Sequence, residues 1–322
     1  MASPQTRIDI DEIFEAHRRE LTGYCYRMLG SGSEAEDAVQ ETLVRAWRAA
    51  DRFEGRSSVR SWLYRIATNV CLDMHRSPQR RARPMHLGGP STVEGAVLRE
   101  RPEETWVQPI ADSQVLPERG DPAEVAAARD SVRLAFVAAL QHLPARQRAA
   151  LILCEVLRWS AAETAELLDT TVASVNSALQ RARATLATVD VARLDDLDDP
   201  EHQALLARYV DAFERYDMTA LAALLREDVV MSMPPWDLWL QGPEAVVAWM
   251  VGPGAACEGS RLVPIAVNGT AGFGSYKRVA PGRWEPWAIQ VIEVAGGRIV
   301  GHNNFVYPEL FAQLGLPPYL EA

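Results

Sequence analysis

Two patterns of apolar residues divide this chain. Residues 8–83 and 122–189 repeat apolar side chains at the three- and four-residue spacing of a helix face, whereas short β-rich runs take over from about Val229. Helical bundles followed by an α+β domain are the fold class such a chain can reach, and its 322 residues suit two or three domains at ~100–200 residues each.

The helical part resolves into elements. Ile10, Ile13, Phe14, Leu21, Tyr24, Cys25, Met28 and Leu29 share one face of a first helix, which Gly30 and Gly32 end. Ser33 with Glu36 reads as a capping box for a second helix reaching about Ala50. A third follows Ser57 and Ser58, with Val59, Trp62, Leu63, Ile66, Ala67, Val70, Cys71 and Met74 inward and Arg60, Tyr64, Arg65, Thr68, Asn69 and Arg76 outward. Residues 84–121 then carry five prolines, with a sixth directly after them at Pro122, and an acidic excess, which predicts a poorly ordered, extended linker. Helical patterning resumes at Pro122. Ser160 with Glu163 forms another capping box and opens a short helix to Leu168, Asp169-Thr170-Thr171 makes a turn, and a longer helix starts at Val172. Two helices joined by so short a turn are the helix-turn-helix arrangement. Val172, Val175, Leu179, Ala182 and Leu186 stripe its second helix, leaving Ser174, Asn176, Ser177, Gln180, Arg181 and Arg183 outward, side chains suited to base edges and phosphates.

An acidic spacer at 190–200 separates these helices from the α+β part, 201–322, where Ala295-Gly296-Gly297 signals a hairpin. Five of the nine tryptophans lie there, and Met231, Met233, Trp236, Asp237, Trp249 and His302 could line an apolar pocket, with Asp237 or His302 as the polar group. A packed regulatory module accounts better for a lone carboxylate and a lone imidazole than catalysis does. Lys277 reads as a strand-surface lysine.

The formal net charge of −10 argues against a nucleic-acid partner, yet residues 43–83 hold ten arginines against Asp51, Glu54 and Asp73. Binding responds to that local field rather than to the total. Residues 190–322 carry net −9. Cys25, Cys71, Cys154 and Cys257 are far apart in sequence, without metal-ligand spacing, and read as reduced thiols of a cytoplasmic protein. No apolar run approaches the length of a membrane span, and the segment MASPQTRIDIDEIF lacks the features of an export signal. No metal, cofactor or catalytic residue is expected.

The stretches LTGYCYRMLGSGSEAEDAVQETLVRAW and FEGRSSVRSWLYRIATNVCLDMHR resemble region 2 of the extracytoplasmic-function sigma factors of the sigma-70 type. ALQHLPARQRAALILCEVLRWSAAETAELLDTTVASVNSALQRARATL resembles their region 4. The last part is similar to a SnoaL-like α+β cone, and the whole chain looks most like the SigG type. The resemblance implies region 2 at 1–83, region 4 at 122–189, and RNA polymerase core and promoter DNA as partners, with a small-molecule ligand or an anti-sigma partner left open. It implies that Asp37, Gln40 and Glu41 dock on polymerase. It further implies that Arg56, Ser57, Ser58, Arg60, Tyr64, Arg65, Asn69 and Arg76 hold the opened −10 strand, where cations and aromatic planes serve unstacked bases. The outward residues of the helix at 172 then read the −35 element. Asn176 and Ala178 stand where the family often has Lys or Arg, which predicts a weaker duplex contact.

Overall fold

The computed structural model describes residues 10–53, 55, 57–74, 81–118, 120–187 and 194–322, and divides them between two compact units. The helical unit takes residues up to 80, 113–132 and 136–190; the second unit takes 81–112, 133–135 and 191–322.

In the helical unit, α1 (Ile10–Leu29) ends at Gly30, whose φ of 76° is one that glycine adopts without steric cost. Ser31, rather than Ser33, caps α2 (Gly32–Ala49), its side chain accepting from the Glu34 N–H. Ser58 accepts from the Ser61 N–H at the head of α3 (Val59–Met74). These three helices bury Phe14, Leu21, Val39, Ala46, Leu63 and Val70 against one another. The Cys25 and Cys71 thiols meet in that core, and their hydrogen bond together with burial raises Cys71 well above the usual thiol range. Two short helices follow, α4 (Asp112–Val115) and α5 (Pro122–Asp130). Then come α6 (Leu134–Gln141) and α7 (Ala145–Leu151), which runs into a π-helical turn at Ile152–Val156. Ser160 and Glu163 form the expected capping box of α8 (Ala161–Leu167), and α9 (Val172–Leu186) completes the helix-turn-helix.

The second unit is an α+β cone. Helices α10 (Pro200–Glu214), α11 (Met218–Leu224) and α12 (Pro243–Val251) cover one face of a sheet. Its strands are β1 (Leu225–Ser232), β2 (Trp239–Gln241), β3 (Arg261–Val267), β4 (Thr270–Ala280), β5 (Arg283–Ala295), β6 (Arg298–Phe305) and β7 (Leu320–Glu321). They run in the order β2-β1-β6-β5-β4-β3, with β7 paired to β5 and only β1 with β6 parallel among these pairings. The hairpin between β5 and β6 turns on Gly296 and Gly297, both at positive φ. The Asp195 carboxylate accepts both of their N–H groups, at 2.9 and 2.8 Å, so one aspartate of the acidic spacer is a structural cap.

Residues 81–112 depart from the linker reading. Ala82 bridges Trp106, Glu100 bridges Trp236 and Ala111 bridges Val267, so the segment is laid onto the cone as a strap. Trp106 is fully buried, and the Arg81 guanidinium donates to its carbonyl at 2.7 Å. Val93 and Ala96 pack against the cone's core. The residues Ala288–Ala295 of β5 are all buried, which requires cover on both faces of the sheet. At Gly274 that second cover is Phe311 and Leu316, from α13 (Leu310–Gln313) and the turn after it.

Candidate nucleic-acid interface

The recognition helix has the geometry its stripe requires. Val175, Leu179 and Ala182 are buried, and this inner row turns the opposite side of α9 to solvent. Ser174, Asn176, Gln180, Arg181 and Arg183 are exposed and Ser177 is partly so. The Ser177 hydroxyl accepts from Arg181 at 2.6 Å, which holds that guanidinium along the helix. Arg183 is turned toward the π-helical turn, where it pairs with Glu155. Val172, expected in the buried stripe, is exposed, because it occupies the first turn, beyond the reach of the supporting helices.

The residues expected on α3 separate into distinct groups. Arg65 and Asn69 are exposed, and they line a cleft of about 640 Å³ with Arg146 and with residues 165–170 at the end of α8 and the turn after it. Ser57 and Ser58 sit in the loop before α3, Ser58 exposed as an N-cap. Arg56 and Arg76 lie outside the described residues. Tyr64 differs from expectation: it is fully buried, edge-on to Tyr24 at 5.2 Å on one side and against Trp159 at 5.2 Å on the other. Thr68 is buried too, accepting from the Tyr24 hydroxyl at 2.7 Å. The reason is that α3 is covered from both α1 and the 150s segment, so its buried arc is wider than a single apolar stripe. Arg60 is committed as well, paired with Glu20 at 2.9 Å and lying over the rings of Tyr64 and Trp159. Burial lowers the Arg60 pKa, but the hydrogen bond and charge of Glu20 outweigh it and the net shift is upward.

On α2, Asp37 and Gln40 are exposed, and Glu41 is half-buried and paired with Arg45 at 2.7 Å. The same surface continues through Val44 and Trp47, the tryptophan 68% exposed. Val44 and Trp47 thus put apolar side chains in solvent beside the polar Asp37 and Gln40. The sequence did contain the signal: Val44 and Trp47 continue the three- and four-residue spacing of Asp37 and Gln40.

The cone's interior is nearly closed. A cavity of about 30 Å³, room for roughly one water molecule, is bordered by Met231, Met233, Trp249 and His302. The Tyr209 hydroxyl donates to Gln290 at 2.7 Å and lies 3.0 Å from His302 Nε2. Complete burial lowers His302 to about 4, so its imidazole is neutral at physiological pH. Trp236 and Asp237 are not on this cavity. The strap holds both, Asp237 through an ion pair with Arg101 at 2.9 Å and Trp236 through its bridge to Glu100. Among the described residues no cluster of metal-ligating side chains occurs, and no helix is long and apolar enough to cross a membrane.

Comparison with known proteins matches these features stretch by stretch. The sigma-70 region 2 family covers residues 13–81, sigma-70 region 4 covers 133–186 and the SnoaL-like domain family covers 206–302. The chain is 43% identical over 321 residues to the ECF RNA polymerase sigma factor SigG of Mycobacterium tuberculosis strain H37Rv, covering 98% of this chain and 86% of that protein. To the ECF sigma factor SigJ of the same strain it is 27% identical over 317 residues, 92% of each chain. The crystal structure of SigJ matches with a TM-score of 0.60 at 24% identity over 95% of this chain and 100% of that one, a likeness of fold.

Proposed function

The chain belongs to the extracytoplasmic-function (ECF) RNA polymerase sigma factors, and from that premise we propose how its own residues direct transcription initiation. It acts with the polymerase core and with promoter DNA. Docking on the core falls to the α2 face of Asp37 and Gln40, with Glu41 at its margin and Trp47 as the apolar anchor. Arg65 and Asn69, with the Ser57-Ser58 loop, take the opened −10 strand; Arg60 and Tyr64 support that surface from beneath instead of touching bases. Ser174, Asn176, Ser177, Gln180 and Arg181 read the −35 element in the major groove. Arg183, held by Glu155, serves as a phosphate contact. The cytoplasm is where such a protein works.

The observation that carries the reading is α9, whose buried inner row leaves a polar outer row of base-reading side chains. The cone is assigned a modulating role without covalent chemistry, since its neutral His302 is occupied by Tyr209 and its cavity holds little more than a water. Run-off transcription with purified core polymerase tests the reading. A product from a cognate promoter that appears only with this protein is expected; no product from any promoter, with a core shown active using another sigma factor, overturns it.

A further inference from the structure

A buried cation in the helical unit has no counter-ion. Arg27 on α1 is 4% exposed; its Nε and Nη2 donate to the Ser131 hydroxyl at 3.1 and 2.7 Å, and Nε also to the Ser131 carbonyl at 3.2 Å. That hydroxyl in turn donates to the Ala128 carbonyl at 2.6 Å, so the guanidinium sits at the C-terminal end of α5. A helix end carries only about half a negative charge. Among the described residues no carboxylate pairs with Arg27, and burial lowers its pKa to about 10, which leaves it charged at physiological pH. Buried charges are ordinarily paired. Nη1 makes no hydrogen bond among the described residues, and Gly23 makes its position possible: a Cβ there would stand 2.8 Å from Nη1 and 3.2 Å from the Val115 carbonyl. Glycine is a poor residue inside a 20-residue helix, and here it leaves room for this one side chain.

Arg27 borders a cleft of about 1160 Å³ that lies wholly within the helical unit, between α1, α5 and the π-helical turn. That is room for a drug-sized ligand, and most of the lining is apolar, with Val115, Phe136, Val156 and Leu157 among it. One wall is α5, nine residues long, none of them buried. Isolated helices shorter than about 12–15 residues are marginal in water, so α5 lacks the packing on which most helices depend. The cleft is the space that such packing would fill. Other charges there are mostly in pairs: Arg60 with Glu20 at 2.9 Å, Arg19 with Glu118 at 2.6 Å, and Glu155 with Arg183. Glu124 and Asp130 on α5 are exposed, where solvent screens them, and the exposed Arg158 adds a second cation.

We propose that this cleft binds a small amphipathic carboxylate, its oxygens on the Nη1 side of the Arg27 guanidinium and its apolar body beneath α5 against Phe136 and Leu157. A guanidinium whose Nε and Nη2 are committed still offers its Nη1–Nη2 edge, and the parallel N–H groups of that edge match the two oxygens of a carboxylate. The head supplies the missing counter-charge. The body supplies α5 with the apolar cover that the helix lacks. None of the outward residues of α9 lines the cleft, so the site stands apart from the proposed promoter reading.

Decanoate is the probe, with acetate as the head alone and 1-decanol as the body alone, each titrated into the full chain by calorimetry. The parent is expected to bind one decanoate, at least about tenfold more tightly than either control. Arg27→Gln should weaken decanoate by about tenfold or more, the size of a charge-assisted hydrogen bond, and leave 1-decanol unchanged. Ala127→Trp, at an exposed position of α5 on the cleft, fills the apolar room and should weaken both; it decides the matter where Arg27→Gln does not fold. Hydrogen exchange locates the ligand: decanoate should slow the amides of residues 123–130 by about tenfold or more and leave those of α10 in the cone at their free rate. No binding to the parent, equal affinity for decanoate and 1-decanol, parent-like affinity in a folded variant, or slowing confined to the cone overturns the proposal.

Discussion

Gln180 and Arg181 sit side by side on α9 and make separable predictions. Both are exposed, and Arg181 is pre-positioned by Ser177. Removing either by alanine substitution should cost on the order of 1–3 kcal/mol of discrimination between cognate and altered upstream elements, with little change in fold, as base-edge contacts do. Competitive binding of cognate and altered duplexes measures it; parent-like ratios for both variants place the recognition surface elsewhere. His302 gives a stability prediction instead. Its folded pKa, about 4, lies below the ordinary 6.5, so between these values the unfolded chain binds a proton that the folded one refuses. Its contribution is therefore complete above pH 6.5 and is lost as pH falls toward 4, by on the order of 3 kcal/mol in full. Urea midpoints at pH 7.5 and 5 should fall in the parent and fall less in His302→Gln, which keeps a partner for Tyr209; equal falls would assign the slope to other groups. At this scale the sequence was legible where one helix face decides burial, as for Val175 and Leu179. It was not legible at Tyr64, whose ring is enclosed by Tyr24 and by Trp159, 95 positions further along the chain.

Elements built on local rules were the readable ones. The Ser160–Glu163 box, the Asp169 turn and the Gly296-Gly297 hairpin each follow from side chains a few positions apart, and each is present. Asn268-Gly269 is a hairpin signal of the same kind between β3 and β4, and both residues have positive φ. The strap at 81–112 could not be read in this way. Its prolines and acids disfavour regular structure, and its order comes from partners far along the chain. Ile110 exchanges hydrogen bonds with Asn268, Gly269 donates to Asp112 at 2.7 Å, and Trp239 donates to the Gly88 carbonyl at 3.0 Å. Composition measures what a segment can do alone, and this one is not alone. Trp106→Ala should therefore behave as a core substitution, costing about 3–5 kcal/mol in the unfolding of the cone, whereas Val97→Ala, at a side chain 73% exposed, should cost under ~0.5 kcal/mol. Chemical unfolding followed by far-ultraviolet dichroism distinguishes them; a neutral Trp106→Ala would mean that the strap is only laid on the surface.

For the whole molecule, order along the chain and order in space disagree. The segment joining region 2 to region 4 in sequence belongs to the unit that contains the cone, so a cut after region 4 does not remove a domain cleanly. A chain ending at residue 187 keeps Trp106, Val107 and Ile110, buried to within 2% in the full protein, and deletes Val267, Asn268 and the rest of the surface that Ala111 and Ile110 bond to. Apolar side chains left without cover favour self-association. The truncated protein should accordingly be cut by a nonspecific protease within 81–112 at least tenfold faster than the full chain, since cleavage of a locally opened segment follows its opening equilibrium and each ~1.4 kcal/mol of lost protection is tenfold. Cleavage within 59–74 should be unchanged, because α3 is packed inside the helical unit. Adding residues 194–322 as a separate chain should restore protection of the strap if that fragment folds, which its dichroism reports. Equal protease sensitivity of the strap in full and truncated chains would show that the cone does not hold it. The same comparison bears on regulation: any change in promoter binding on truncation reflects a released strap as well as a missing domain, and Trp106→Ala in the full chain, which loosens the strap while retaining the domain, separates the two.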